Sequence, residues 1–324
     1  MRFSFTARVT GATHVFAVVA GCAGLLLLGA LPAGATFPGA NGKIAFSTDQ
    51  NGNGSGPSDI YTVNSNGSGE TQLTHGEFGR ASEPNWSHDG STIVFGGDIS
   101  GSSQLYVMGA TGDGAHLLYS DPGNFDSGPK YSPDGSKIAF SSCGGTGCTI
   151  DVIASDGSGS ATVLTSPNWN AFNPTWSPDG SKIAFESNQD GLLDAVWVMN
   201  ASDGSNQQRL TAPALEAGYP DWSPDGKHII FQDLCCIFGT NIWIMNADGS
   251  GQKQITHMPT KHQDGFAHYS PDGTKIVLTA DLAYKPGTCD GCGDLYTMDA
   301  KGTHLTKIVS DQPGVFFSDW GTHS

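Results

Sequence analysis

The stretch Trp176-Ser177-Pro178-Asp179-Gly180-Ser181-Lys182-Ile183-Ala184-Phe185 contains the pattern that decides the fold. An aromatic residue is followed by Ser-Pro-Asp-Gly and then by apolar residues at alternate positions. The aromatic-Ser-x-Asp-Gly motif occurs five times, beginning at Trp86 (where His88 replaces Pro), Tyr131, Trp176, Trp222 and Tyr269. The motifs are 45, 45, 46 and 47 residues apart. A period of this size indicates a solenoid, a propeller or an array of small domains.

Each repeat contains four segments that read as β-strands. The motif ends a first strand, and an Ile-x-Phe-type alternation with period two forms the second. A third apolar segment follows after a loop of variable length, and an Asx-x-x-Gly type of turn such as Asn246-Ala247-Asp248-Gly249 leads to a short fourth strand. We therefore predict four-stranded antiparallel units that follow one another along the chain.

The Pro-Asp-Gly segment between the first and second strands has the composition of a tight turn. Proline presets φ at the first central position, aspartate is favoured next, and glycine takes the position with positive φ. We therefore interpret the repeated acids as turn formers rather than catalytic carboxylates; they are Asp134, Asp179, Asp225 and Asp272.

The ends of the chain complete the sixth unit. Six second strands are present, but the first, from Gly42 to Phe46, has no full motif before it. The missing first strand appears at the far end as Phe317-Ser318-Asp319-Trp320-Gly321. The sequence thus predicts an all-β fold, a six-bladed β-propeller of four-stranded antiparallel blades closed by the C-terminal strand at Trp320, which leaves no open sheet edge between the first and last blades.

These motifs, each followed by Ile-x-Phe or its equivalent, resemble the WD-repeat-related propeller repeats of the TolB-like family. The resemblance covers about residues 37 to 321. TolB proteins of the Tol-Pal envelope system carry an N-terminal α/β domain before the propeller, whereas here only a few residues separate the predicted signal cleavage site after Ala35 from the first blade. The resemblance implies a TolB-like propeller without that domain.

The N-terminus has the features of an export signal. Arg2 and Arg8 supply positive charge, an apolar stretch runs from Val15 to Leu31, and Ala33-Gly34-Ala35 offers a cleavage site. We expect residues 1–35 to be a signal peptide and residues 36–324 to be the propeller, located outside the cell or in the periplasm and cell envelope. The alternative is a lipoprotein anchored through Cys22, in a segment resembling a lipobox.

Composition restricts the partners. The 324 residues include 45 glycines, and only 14% are charged, which disfavours coiled coils and helix bundles. The net charge of −16 disfavours nucleic acid and anionic membranes as partners. A basic or neutral protein, or a glycan contacted with the help of a cation, fits better. No second apolar run is long enough to span a bilayer.

Polar residues beside the first-strand aromatics are expected to approach the central channel. Lys130, Asn173, Asp221 and Asp319 are in such positions, and Asp264 and His268 are in the predicted connection into blade 6. The six form our candidate ligand-binding set.

The longest loops between second and third strands belong to blades 1 and 6, which become neighbours when the ring closes. Elaborated loops on a rigid scaffold commonly carry binding sites, so we expect function near blades 5, 6 and 1.

The loop of blade 1 resembles the start of a calcium loop. Asp49, Asn51 and Asn53 fit its alternation of oxygen ligands, and Gly54 permits the sharp turn. Ile60 stands where a bidentate Glu is expected, and Asp59 could replace it only by rearrangement. Calcium is thus a possible ligand, and no cofactor is required.

Six of the seven cysteines follow the predicted cleavage site, and an even number in an oxidising compartment favours disulfides. We predict local bridges Cys143–Cys148, across a glycine-rich hairpin tip, and Cys289–Cys292. The pairing of Cys235 and Cys236 stays open.

Sequence motifs for nucleophilic hydrolysis, metalloprotease chemistry and phosphate binding do not occur in the chain. We expect an exported, non-enzymatic propeller that serves as a binding or scaffold module for an extracytoplasmic protein or glycan. The alternative is a propeller-based lyase or hydrolase acting on extracellular carbohydrate.

Overall fold

The computed structural model describes residues 39–49, 56–99, 101–234, 240–257, 264–282, 293–309 and 314–322. These residues form six antiparallel sheets of four strands each, here numbered as blades 1 to 6. The described part of the chain contains no helix and therefore no helix that could cross a membrane. The predicted six-bladed β-propeller is confirmed.

The strands are numbered along the chain, and each blade is given from its innermost strand outward. Blade 1 contains β24 (Val315–Thr322), β1 (Asn41–Asp49), β2 (Ser58–Val63) and β3 (Thr71–Gln72). Blade 2 contains β4 (Ala81–Trp86), β5 (Thr92–Asp98), β6 (Ser103–Gly109) and β7 (His116–Tyr119). Blade 3 contains β8 (Phe125–Tyr131), β9 (Lys137–Gly144), β10 (Gly147–Ala154) and β11 (Thr162–Val163).

Blade 4 contains β12 (Ala171–Trp176), β13 (Lys182–Ser187), β14 (Ala195–Asn200) and β15 (Gln208–Arg209). Blade 5 contains β16 (Ala217–Trp222), β17 (His228–Asp233), β18 (Ile242–Asn246) and β19 (Lys253–Gln254). Blade 6 contains β20 (Asp264–Tyr269), β21 (Lys275–Ala280), β22 (Asp294–Asp299) and β23 (Thr306–Val309).

Blade 1 is closed by the C-terminal strand, as predicted. In the antiparallel register of β24 and β1, Ile44 is opposite Trp320 and Phe46 is opposite Ser318. Trp320 is only 3% exposed, and its indole nitrogen donates a hydrogen bond of 3.2 Å to the carbonyl oxygen of Gly42. The strand thus joins the end of the chain to its beginning and buries apolar surface on both.

The core is a set of apolar clusters within and between the blades. Its centre is the large residue that ends the Ile-x-Phe pattern, and this residue is fully buried in every blade: Phe46, Phe95, Phe140, Phe185, Phe231 and Leu278. It faces the third strand, for example where Phe185 is paired with Trp197. Period-two patterning therefore places one residue of each repeat in the interior, as the sequence indicates.

The Ser-Pro-Asp-Gly motif forms the predicted turn. In blade 3 the hydroxyl of Ser132 donates to Asp134 Oδ1 at 2.6 Å, and the backbone nitrogen of Ser136 donates to the same oxygen at 3.0 Å. Gly135 has φ of +69°, which favours glycine. These bonds lower the pKa of the Asp134 carboxyl. The carboxylate is thus occupied by its own turn.

The six blades give the ring two different faces. The turns between first and second strands and between third and fourth strands lie on one side, called the turn face. The loops between second and third strands, and the connections from one blade to the next, lie on the other, called the loop face. The inner strands begin at the loop face.

A disulfide joins Cys143 and Cys148, which are paired across β9 and β10 with their Cα atoms 4.0 Å apart. Replacing both by serine is expected to lower the free energy of unfolding by about 2 kcal/mol, because the bridge restricts a short loop of the unfolded chain. Chemical denaturation of the two forms measures this, and non-reducing peptide mapping should recover the bridge. Free thiols at both positions would contradict it. Cys235, Cys236, Cys289 and Cys292 lie outside the described residues.

Candidate functional site

The six inner strands share one backbone irregularity near the loop face. Each ladder to the second strand is interrupted, as between Ser82 and Asn85 in β4. The residue three positions before the strand's aromatic residue has φ between 46° and 60° in all six blades. These residues, here called the mouth ring, are Glu83, Gly128, Asn173, Tyr219, Phe266 and Phe317. Such φ values cost a non-glycine residue about 1–3 kcal/mol, so the ring stores strain at the entrance of the channel.

Neighbouring side chains hold several of these strained residues in place. The backbone nitrogen of the mouth-ring residue donates to a side chain that the preceding blade supplies. These bonds are Asn173 N to Ser141 Oγ (3.1 Å), Tyr219 N to Glu186 Oε2 (3.3 Å), Phe266 N to Gln232 Oε1 (3.4 Å) and Gly128 N to Glu83 Oε2 (2.6 Å). The geometry of the mouth therefore depends on contacts between blades.

Glu186 is the most constrained of these acceptors. Its Oε2 also accepts a hydrogen bond of 3.0 Å from the side-chain nitrogen of Asn173, and the residue is 6% exposed. A Cβ at Gly218 would lie 2.0 Å from this oxygen, so glycine permits the close approach. Burial raises the pKa of the Glu186 carboxyl to about 7, despite the hydrogen bonds from Asn173 and Tyr219 that favour its charged form.

One half of the mouth is aromatic. The ring centroids of Tyr219 and Phe266 are 4.9 Å apart in an edge-to-face arrangement, and those of Phe266 and Phe317 are 4.2 Å apart. These three residues, called the aromatic cluster, belong to blades 5, 6 and 1 and are each half-buried. Phe316 beneath them is buried and contacts Phe317. The cluster is a preformed apolar surface that solvent can still reach.

The other half of the mouth is polar. Blades 2, 3 and 4 supply Glu83, Gly128 and Asn173. Burial raises the pKa of Glu83. Burial, with the nearby charges of Glu186 and Glu83, also raises the pKa of Tyr219, so this hydroxyl stays protonated. The entrance is therefore divided into an aromatic side and an acidic, amide-bearing side.

A second ring lies deeper, one position before the aromatic residue of each inner strand. This waist ring consists of Asn85, Lys130, Thr175, Asp221, His268 and Asp319. Lys130 of blade 3 reaches across the channel, where its Nζ lies 3.5 Å from His268 Nε2 and 3.8 Å from Asp319 Oδ1. His268 Nδ1 lies 3.4 Å from Asp221 Oδ1. Four charged or titratable groups from different blades thus meet inside the channel.

The waist ring also links neighbouring blades through backbone hydrogen bonds. Asp319 Oδ2 accepts one of 2.9 Å from Trp86 N, and Asp221 Oδ2 accepts one of 2.9 Å from Tyr269 N. The cavities at the mouth and at the waist each measure about 40 Å³. Small-molecule sites usually need about 300–1,000 Å³. The described channel therefore has room for a few waters, and a larger partner would contact it from the outside.

The structure brings most of the predicted ligand-binding residues together. Lys130, Asp221, His268 and Asp319 lie in the waist ring and Asn173 in the mouth ring. His268 is inside β20 and faces the channel, so its placement in the connection into blade 6 was wrong. Asp264 begins β20, and its side chain lies outside the described residues. Sequence reasoning missed Glu83, Tyr219, Phe266 and Phe317, although all four precede a first-strand aromatic residue by three positions.

The candidate calcium residues are only partly described. Asp49 ends β1 and is buried. Asp59 accepts hydrogen bonds of 2.8 Å from Thr74 Oγ1 and from Gly76 N, so its carboxylate has a structural role. Asn51 and Asn53 lie outside the described residues. Within the described ranges, no group of three or more His, Cys, Asp or Glu residues is arranged to hold a metal ion.

One described end of each long loop contacts the start of β24, the strand that carries Phe317. Asp49 N donates to the carbonyl oxygen of Gly314 at 2.9 Å, and Val315 N donates to that of Gly293 at 2.9 Å. The described ends of the β1–β2 and β21–β22 loops therefore flank the start of β24. This strand carries Phe317 of the cluster.

Six repeated four-stranded blades around a narrow channel define a six-bladed β-propeller. The PD40 family model, the TolB beta propeller domain, matches residues 29–169 and 127–281. The chain therefore belongs to the TolB beta propeller family. No sequence among curated proteins matches it.

Solved structures agree with this fold. TolB from Acinetobacter baumannii has a TM-score of 0.70 and 18% identity, over 89% of this chain and 68% of that one. A structure assigned to TolB of Agrobacterium tumefaciens has a TM-score of 0.62 and 23% identity, over 86% of this chain and 91% of that one. An oligogalacturonate lyase in complex with manganese has a TM-score of 0.54 and 17% identity, over 86% of each chain. At these identities the similarity shows the fold alone.

Proposed function

We propose that this protein is an exported binding module that holds an extracytoplasmic protein on its loop face, with the aromatic cluster as the central contact. Export rests on the N-terminal segment with Arg2, Arg8 and the Ala33-Gly34-Ala35 site, which lies outside the described residues. The partner of this proposal is neutral or basic, because the chain carries a net charge of −16.

The observation that carries the proposal is the aromatic cluster on strained backbone. Tyr219, Phe266 and Phe317 have φ of 46–50°, a conformation that bulky side chains rarely adopt. Strained residues persist where the surrounding structure holds them, and they are concentrated at functional sites. Aromatic residues that are rigid and partly exposed are also typical anchors of protein interfaces. The cluster combines both properties.

The distribution of exposed apolar residues supports the same face. Nine large apolar side chains among the described residues are exposed, and six of them lie on the loop face. These six are Ile99 (41%), Phe125 (46%), Trp169 (44%), Leu192 (54%), Leu193 (45%) and Leu282 (40%). The turn face lacks a comparable set within the described ranges. A partner centred on the mouth would cover this rim as well.

The small channel volume favours a protein partner over a substrate that enters the channel. A surface partner needs only the mouth and the rim, whereas a lyase or hydrolase would need a pocket of several hundred Å³ beside its reacting groups. Calcium at Asp49 and Asp59 is not required for this function.

Affinity capture tests the proposal. Mature protein immobilised by a C-terminal tag is exposed to the extracytoplasmic fraction, and captured proteins are quantified by mass spectrometry. We expect one dominant partner, and at least a tenfold loss of its capture in the Phe266→Ala/Phe317→Ala variant, because each interface anchor contributes about 1–2 kcal/mol. Leu117→Ala and Leu305→Ala, which alter exposed residues away from the loop face, are the matched controls.

Circular dichroism should show that all variants remain folded. Equal capture by the mouth variant and the wild type would refute the proposed site. Turnover of an acidic oligosaccharide without stable capture of any protein would instead favour the lyase or hydrolase.

A further inference from the structure

A groove between blades 5 and 6 opens on the turn face, away from the mouth. Its volume is about 910 Å³, against about 360 Å³ for the corresponding groove between blades 4 and 5. Ile244, Ile255 and Ala300 form an apolar floor, and Lys253 and Lys301 border it together with His228. Lys253 and Lys301 thus place two positive charges on the groove, and Asp225 and Asp272 place two negative charges at its other end.

Lys253 differs from its equivalents in the other five blades. It is paired with Ile244 in the register of β18 and β19. The residues in the same register of the other blades are Thr71, His116, Thr162, Gln208 and Thr306. Because these five residues pair in their sheets without a lysine, strand pairing does not require a lysine at position 253.

Lys301 replaces a residue that stabilises its turn in other blades. It precedes the glycine that closes the turn between third and fourth strands, where Gly302 N donates to the carbonyl oxygen of Asp299. Asp156 and Asp248 stand at this position in blades 3 and 5, and each accepts a backbone hydrogen bond of 2.9 Å from the serine two residues later. A lysine cannot accept such a bond. Blade 6 therefore gives up a local interaction at the edge of the groove.

The two lysines are also available for a ligand. Nearby Lys227 and Lys275 form ion pairs of 3.3 Å with Asp225 and 3.7 Å with Asp299. Lys253 and Lys301 form no ion pair with any residue that the structure describes.

Two carboxylates at the end of the groove already have partners in the protein, and Asn41 Nδ2 of blade 1 donates to Asp272 Oδ2 at 3.0 Å. Asp225 Oδ1 accepts a hydrogen bond of 2.7 Å from Ser223 Oγ, and Asp272 Oδ1 accepts one of 2.7 Å from Ser270 Oγ. Both carboxyls have lowered pKa values and remain charged, so they limit where an anion can sit. A ligand's negative charge would therefore lie toward Lys253 and Lys301, at the outer end.

We propose that this groove binds an acidic peptide segment of a partner protein, with carboxylates at Lys253 and Lys301 and an apolar side chain on the floor between them. The floor consists of aliphatic side chains, which suit a leucine-like residue. Sugar rings bind preferentially on exposed aromatic faces, and Tyr269, the aromatic residue bordering the groove, is only 7% exposed. This site is independent of the aromatic cluster and gives the propeller a second binding surface of opposite charge preference.

Fluorescence polarisation with the mature protein tests the site. The probe is a fluorescein-labelled octapeptide of alternating Glu and Leu, and the comparison probe alternates Lys and Leu. The variant Lys253→Thr/Lys301→Asp carries residues that other blades have at the same positions, so its fold should be retained. Lys137→Thr, which alters an exposed lysine of blade 3, is the control.

We expect the Glu-Leu peptide to bind, and to bind at least tenfold more weakly to the double variant while Lys137→Thr has no effect. Binding should weaken between about 50 and 300 mM salt, because exposed charges are screened. No binding, equal binding by the double variant, or equal binding of the Lys-Leu peptide would overturn the proposal. Tighter binding of oligogalacturonate that is lost in the same variant would also overturn it, in favour of a saccharide. The Phe266→Ala/Phe317→Ala variant should bind the peptide normally.

Discussion

Truncation of the chain after Gly314 is expected to abolish cooperative folding of the propeller. The deletion removes β24, which is the innermost strand of blade 1, and exposes the buried side of β1 that includes Ile44 and Phe46. Loss of a buried tryptophan side chain such as Trp320 alone costs about 3–5 kcal/mol. Because domains are stable by only about 5–15 kcal/mol, removal of the whole strand should leave little or no folded protein.

Thermal unfolding followed by circular dichroism measures this effect. Truncation after Thr322 removes two residues beyond the strand and is the matched control, with an expected melting temperature equal to that of the full chain. Trp320→Ala should be intermediate, with a clear transition at a lower temperature. If truncation after Gly314 left the melting temperature unchanged, closure by the C-terminal strand would be wrong.

The second large effect concerns Glu186 and pH. Its pKa is raised from an ordinary 4.5 to about 7 in the folded protein, so the folded state binds more protons than the unfolded state between these values. Its contribution to stability is therefore fully present below about pH 4.5 and is lost as the pH rises through 7. A shift of this size corresponds to about 3 kcal/mol.

Glu186→Gln should remove this dependence. Gln232 occupies the equivalent position in blade 5 and accepts the backbone hydrogen bond of Phe266, so the amide suits the site. We expect the variant and the wild type to be similarly stable at pH 4.5, and the variant to be more stable by up to about 3 kcal/mol at pH 8. Urea denaturation at both pH values measures the difference. Asp126, whose pKa burial raises to about 6, adds a similar dependence to both proteins and cancels in the comparison. A stability difference independent of pH would contradict the account.

The fold could be predicted from the sequence because each repeat contains a similar turn motif followed by a similar alternation of apolar residues. The turn at Asp134 and the buried position of Phe140 follow from tight-turn chemistry and from period-two patterning. Closure of the ring could be predicted by counting strands. The second strand from Gly42 to Phe46 has no first strand before it, and the first strand that contains Trp320 has no second strand after it. None of these inferences depends on contacts between distant residues.

The mouth ring could not be predicted in this way. Proline follows Glu83, Asn173 and Tyr219, and a residue before proline is normally driven toward extended conformations. Their positive φ is imposed by the closed ring and by hydrogen bonds from the preceding blade, as between Tyr219 N and Glu186. The local preference of residues before proline therefore predicts an extended backbone, whereas the tertiary structure gives these residues a positive φ.

The waist ring was more accessible to prediction. Lys130, Asp221 and Asp319 each precede a first-strand aromatic residue, so the repeat alone placed them at one level of the channel. The reach of the Lys130 ammonium group to His268 in the opposite blade depends on the channel diameter, which the sequence does not encode locally. His268 also precedes a first-strand aromatic residue, Tyr269, so the same rule places it in the waist ring rather than in the connection into blade 6.

Photo-crosslinking from the channel mouth tests the central claim, that the protein binds a partner through the aromatic cluster, most directly. A photoreactive phenylalanine analogue replaces Phe317 in one protein and exposed Leu117, on the outer strand β7, in another, and both are irradiated in the extracytoplasmic environment. We predict a single dominant crosslinked protein from position 317 and none of it from position 117. Crosslinking to that protein from position 117 but not from position 317, or no crosslink from the mouth at all, would contradict the account.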